Sequence, residues 1–220
     1  MSGPKIYAEV FGILITETMV NTWIVMGIIL VFTFFATRNM QKVPKGMQLV
    51  GEMIVKAIDN LTENTMGKKN MGFAPYMLTL FMFLGIANLL GLVALRPPTS
   101  DLAMTLALAL LTFFLTQFFA IKSKGVGGFL KGFTEPIPLL LPINIIGELA
   151  NPISLSFRLF GNMLGGVIIM TLIYGGLTNL MFFAGGIPIL AHLYFDIFSG
   201  LLQSFIFVML SMVFISMAME

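Results

Sequence analysis

Arg158 stands at the head of a long run, residues 159 to 195, that contains no other charged side chain. A guanidinium keeps its proton at any physiological pH, with a pKa above about 12, so it cannot relieve apolar burial by becoming neutral. The nearest acid along the chain is Glu148, ten residues away, or about 15 Å along a helix. The chemistry open to such a group is electrostatic: holding an anionic substrate, pairing with an acid, or facing a negative charge carried by another molecule.

The polar residues around it are ordered. Asn144, Glu148, Asn151, Arg158 and Asn162 lie at offsets 0, 4, 7, 14 and 18. At 3.6 residues per turn these fall within about 40° of one direction. His192, Asp196, Ser199 and Gln203, at offsets 0, 4, 7 and 11, form a second stripe by the same arithmetic. His192 and Asp196 at i, i+4 could exchange protons or act as an acid and base. As metal ligands they lack a third partner. No metal or cofactor is expected, and with no cysteine in the chain, thiol chemistry is excluded.

The elements that must position these groups belong in lipid. Of 220 residues 58% are hydrophobic and 10% charged, against about 25% charged in a soluble globule, and the mean hydropathy is +0.98. Twelve basic and ten acidic side chains are too evenly matched for a nucleic-acid surface. A transmembrane helix needs about 20 mostly apolar residues. The charge-free runs 18 to 37, 70 to 95, 102 to 121, 159 to 195 and 197 to 219 meet that requirement.

The fold expected is an all-α integral membrane protein forming a single membrane domain over residues 1–220, with four to five transmembrane helices. A first span covers 19–37, a helical hairpin 73–95 and 101–121, and two long helices 143–175 and 187–219 form a second hairpin. The last two must be tilted or bent, since 33 helical residues reach about 50 Å and the hydrocarbon core is about 30 Å thick. Pro142 and Pro152 offer bending points. Over 47–66, Val50, Met53, Ile54, Ala57, Ile58 and Leu61 recur at helical spacing while Glu52, Lys56, Asp59 and Glu63 take other faces. That pattern predicts an amphipathic helix in the membrane surface.

Orientation follows from the basic residues. Segments 38–72 and 122–142 carry Arg38, Lys42, Lys45, Lys56, Lys68, Lys69, Lys122, Lys124 and Lys131, whereas the other side has Lys5 and Arg96. The positive-inside rule then puts the N-terminus outside and Glu220 in the cytoplasm of a cell, with the chain in its inner (plasma) membrane. No cleavable signal is evident near Val10 to Ile15. By residue counting, Asn144, Glu148 and Asn151 fall in the inner half of the bilayer, His192 and Asp196 in the outer half, and Arg158 and Gln203 near the middle. An arginine at the bilayer centre costs roughly 2.5 to 3.5 kcal/mol on insertion scales.

The segment Pro152-Ile-Ser-Leu-Ser-Phe-Arg158-Leu-Phe-Gly-Asn162-Met resembles the signature of the a subunits of rotary F-type ATP synthases. The likeness extends through Thr18-Met-Val-Asn-Thr-Trp23, Leu141-Pro-Ile-Asn144, Gln203-Ser-Phe-Ile-Phe207 and Ser216-Met-Ala-Met-Glu220. It implies a non-catalytic stator beside a ring of c subunits, held by peripheral-stalk b subunits, with two offset half-channels that pass H+ or Na+. It also implies that Arg158 faces the ring carboxylates, that Gln203 approaches Arg158, that Asn162 and Asp196 serve the outer limb, and that Glu148 serves the inner one. The chain departs from the family at Val167, where many members have a carboxylate or histidine, and at Asn151, where a basic residue is common.

Other readings remain open from the residues themselves. Arg158 could pair with Asp196 or Glu148 and merely fix packing. A stand-alone secondary transporter could use it to hold an anionic substrate, and His192 with Asp196 could form an intramembrane acid and base. Gly161, Gly165 and Gly166 fit a close helix contact, with a neighbouring subunit among the candidates.

Overall fold

The computed structural model describes residues 5–10, 13–93, 95–134, 138–177 and 186–219. Strands β1 (Ile6–Val10) and β2 (Ile13–Thr16) form a small antiparallel hairpin, an addition to the helical fold expected. Helices follow at α1 (Glu17–Thr37), α2 (Met47–Met66), α3 (Ala74–Leu89), α4 (Leu102–Thr134), α5 (Leu141–Leu177), α6 (Gly186–His192) and α7 (Gly200–Met219). Among the described residues five helical stretches are long and apolar enough to cross a membrane: Glu17–Thr37, Lys68–Val93, Leu102–Phe133, Leu141–Gly176 and Pro188–Met219.

The helix expected over 47–66 forms as α2. α2 starts after Gly46 (φ 59°) and stops at Gly67 (φ 77°), two left-handed positions where glycine escapes a Cβ clash. Its Ile58 joins the main core and Leu61 packs against it, but Val50 and Met53 are exposed. One side of α2 is therefore docked on the bundle.

α7 is the axis of that bundle. Phe207, Val208, Met212 and Ile215 are fully buried and pack with Met77, Leu80 and Leu84 of α3, Ala109 of α4, and Leu155 and Leu159 of α5. Helices in lipid gain no hydrophobic drive from meeting each other, so small residues and polar contacts decide their approach. Ser211 lies 3.4 Å from Thr112, and Ser123 donates to the Met219 carbonyl at 2.8 Å. α1 is tied to the α3–α4 turn by Thr18 to Asp101 (2.9 Å) and Asn21 to the Arg96 carbonyl (2.8 Å), while Trp23, Leu30 and Phe34 are left exposed.

The helices depart from the expected bounds in two places. α4 continues past residue 121 to Thr134 through a break at Gly125 (φ 71°). The second long helix is not one α-helix, because residues Leu193–Ser199 wind as a π-helix between α6 and α7. Pro142 sits in the first turn of α5, where its missing N–H costs nothing, so only Pro152 interrupts the helix interior. The connection between the last two helices, residues 178–185, lies outside the described residues, as does Glu220.

α5 packs antiparallel against α4. Between the contact of Ser156 with Thr105 and that of Glu148 with Gln117, α4 advances 12 residues and α5 only 8, or about 18 Å against about 12 Å. Ser156 thus lies beside the first turn of α4.

Candidate functional site

Arg158 is exposed on α5 although Leu155 and Leu159, its close neighbours on the helix, are buried in the core. Among the described residues it makes no hydrogen bond or ion pair. The two acids that could have neutralised it are engaged elsewhere. Glu148 accepts a hydrogen bond from Gln117 Nε2 at 3.0 Å, and Asp196 Oδ2 lies 2.5 Å from His192 Nδ1. The packing-only reading of Arg158 therefore has no internal ion pair to stand on.

The residues beside Arg158 on the same strip are small: exposed Gly147, Ala150, Ser154 and Gly161 and half-buried Gly165, at spacings of three and four. A Cβ added at Gly147, Gly161 or Gly165 would meet nothing within 4 Å. Gly166 is different, since its added Cβ would be 3.6 Å from Phe195. Of the three glycines singled out for close contact, Gly166 alone is used within this chain.

Toward the Lys122 end, the first half of α5 turns its polar groups to α4. Asn144 Nδ2 donates to the Phe133 carbonyl at 2.9 Å, and Glu148 meets Gln117. A cavity of about 20 Å³ lies between α4, α5 and α7, lined by Thr112, Thr116, Glu148 and Asn151 with Pro152 and Phe214. A water needs about 10 to 15 Å³ and several polar partners, so this space suits a single water beside the Glu148 carboxylate.

Toward the Asp101 end, the second half of α5 meets the π segment. Ser199 Oγ donates to Asn162 Oδ1 at 3.1 Å, and Tyr174 Oη lies 2.9 Å from His192 Nε2. The π winding lets the Asp196 carboxyl settle over Gly91, where even a Cβ would come within 2.9 Å of it. Such single π turns frequently occur at functional sites. The His192–Asp196 pair survives this change of winding, because His192 closes α6 and the two remain one turn apart.

Gln203 is buried at 4% exposure, and its Nε2 has no partner among the described residues. No hydrogen bond joins it to Arg158.

Sequence reasoning missed the residues that hold the π segment in place. Asn88, fully buried, donates to the Gly200 carbonyl (2.9 Å) and to Ser204 Oγ (3.0 Å) and accepts from Thr99 Oγ1 (2.6 Å). Asn88 and Gln117 could have been found as lone polar residues in apolar runs. Tyr174 carried no such signal, because an aromatic at a helix end is commonplace in membrane proteins.

Polar side chains packed between the long apolar helices, with a cation that has no hydrogen bond or ion pair among the described residues, mark an integral membrane protein of the kind that conducts ions. The comparisons agree. The family model described as ATP synthase A chain matches residues 19–216. The chain is 38% identical over 222 residues to a Propionigenium modestum protein named ATP synthase subunit a, sodium ion specific, covering 94% of this chain and 75% of that one. It is 37% identical over 203 residues to an ATP synthase subunit a of Moorella thermoacetica, covering 92% and 90%. The chain belongs to the ATP synthase A chain family. It is the non-catalytic, ion-conducting stator subunit in the membrane sector of an F-type ATP synthase.

Proposed function

We propose that the exposed strip around Arg158 receives the ring of c subunits, and that the two polar groups are half-channels meeting the ring on either side of that cation. The observation that carries this reading is a permanent charge left without an internal partner on a face of small residues. A neighbouring helix could approach such a face closely and bring a carboxylate to the guanidinium. The outer half-channel contains His192, Asp196, Ser199, Asn162 and Gln203; the inner contains Asn144, Glu148 and Asn151. The ion delivered is a proton or, as in the relative named sodium ion specific, sodium.

The mechanism is differential electrostatics. A ring carboxylate is stabilised in its ionised form when it lies beside Arg158, and in its ion-loaded form when the ring carries it into lipid. Arg158 thereby promotes release on one side and blocks direct passage between the limbs. The positive-inside distribution puts the Glu17 end outside, in the plasma membrane, and the Lys122 end in the cytoplasm. The exposed apolar face of α1 meets lipid and the peripheral-stalk b subunits.

Two substitutions test the assignment. Gly161→Leu fills the strip without touching the core, and ring association measured by co-purification should fall several-fold while the isolated chain inserts normally. Undiminished association would remove this strip as the ring face. Asp196→Asn should slow ion entry from the outer side by roughly a hundred-fold, the usual size of a lost proton-transfer group. An unchanged rate of passive conduction through the membrane sector would sink the outer-limb assignment.

A further inference from the structure

The structure assigns Tyr174 to the outer limb as the first member of a hydrogen-bonded wire, Tyr174–His192–Asp196, that admits protons and not metal cations. This rests on the outer-limb reading of Asp196 and extends it to a residue outside the polar stripes. Three observations carry it. Both imidazole nitrogens are engaged, Nε2 with the Tyr174 hydroxyl at 2.9 Å and Nδ1 with the Asp196 carboxylate at 2.5 Å. Exposure falls along the wire, from an exposed Tyr174 to 27% for the His192 side chain and 15% for Asp196. The wire also joins two elements, α5 and the α6–π segment, across the mouth of the outer limb.

The transfer balances with one proton in and one out. A hydronium ion at the mouth gives a proton to the Tyr174 oxygen, leaving water, as the phenol passes its own to His192 Nε2. His192 passes the Nδ1 proton to Asp196 Oδ2, which becomes a carboxylic acid. The imidazole, now protonated only at Nε2, regains its starting tautomer by proton exchange with water, which takes the Nε2 proton and supplies one to Nδ1. Asp196 releases its proton inward. Imidazole is suited to this step because one ring nitrogen can accept while the other donates. A sodium ion has no equivalent route, since it needs several oxygen ligands at once and a ring nitrogen link offers none.

The test uses the intact a–c membrane sector in liposomes with the soluble sector removed, and follows potential-driven H+ flux and 22Na+ flux at matched amounts of assembled complex. Tyr174→Phe should lower H+ flux about tenfold, less than loss of a full general base because water can partly replace a phenol. His192→Gln keeps a donor and an acceptor at the same place but cannot pass a proton between them. It should be as slow as Tyr174→Phe, whereas a merely structural latch would be rescued by glutamine. Sodium flux should stay at background in every variant. Wild-type H+ flux in both variants, or sodium flux equal to proton flux in the unaltered protein, overturns the wire. If Asp196→Asn alone blocks conduction, the wire fails and the outer limb stands; if all three conduct normally, both fail.

Discussion

Replacing Arg158 by alanine is expected to abolish ATP-driven ion pumping by the complex while leaving the chain inserted and assembled. The side chain is exposed and makes no contact that folding depends on, so its loss removes no core packing. Removing it also relieves an insertion cost of about 2.5 to 3.5 kcal/mol. What disappears is the attraction for a ring carboxylate. Opposite unit charges 4 Å apart interact by about 4 kcal/mol at an effective dielectric constant near 20. With one pKa unit worth 1.36 kcal/mol, that is about a thousand-fold in the carboxyl's ionisation equilibrium. Without it the ring site holds its ion while passing the stator, and nothing separates the two limbs electrostatically.

Arg158→Lys is expected to be only a partial rescue. Lysine restores charge but not the planar fork that spreads it, and an ammonium in apolar surroundings can lose its proton where a guanidinium does not. ATP hydrolysis by the soluble sector, pumping, and passive leak should be measured together. Normal pumping by Arg158→Ala would remove the electrostatic switch altogether.

The spans and the key cation were legible because the relevant signals are local. Charge-free runs register the thickness of the bilayer, and a lone arginine in such a run needs no tertiary information to be conspicuous. Helical periodicity also put Asn162 and Ser199 on faces that do meet, at 3.1 Å. The π segment was hidden, since residues 193–199 contain no glycine or proline and α and π windings share a composition. It is selected by tertiary contacts, chiefly Asn88 on Gly200 and the room left by Gly91. The docking of α2 was equally invisible, because an apolar stripe looks the same whether lipid or α7 covers it.

Asn88→Leu is the sharpest test of that tertiary control. The substitution keeps side-chain volume nearly constant but removes two donors and one acceptor at a site with no access to solvent. Thr99 and Ser204, both fully buried, lose their cross-helix partner, although Ser204 retains its bond to the Gly200 carbonyl at 2.8 Å. Interhelical hydrogen bonds in lipid average about 0.6 kcal/mol, and a buried polar group left unsatisfied costs about 1 to 3 kcal/mol. A net loss of about 2 kcal/mol of stability against denaturant follows. The functional effect should exceed what that loss alone produces, because Asn88 ties the end of α3 to the point where π winding returns to α. Freed from it, the π turn can revert and swing Asp196 off Gly91, so proton entry from the outer side should slow about tenfold. Ser211→Ala provides the comparison. It also removes a buried polar contact, to Thr112 at 3.4 Å, but one far from the π segment. It should cost some stability with no change in ion entry, and equal effects of the two substitutions on flux would show that Asn88 does not position the outer limb.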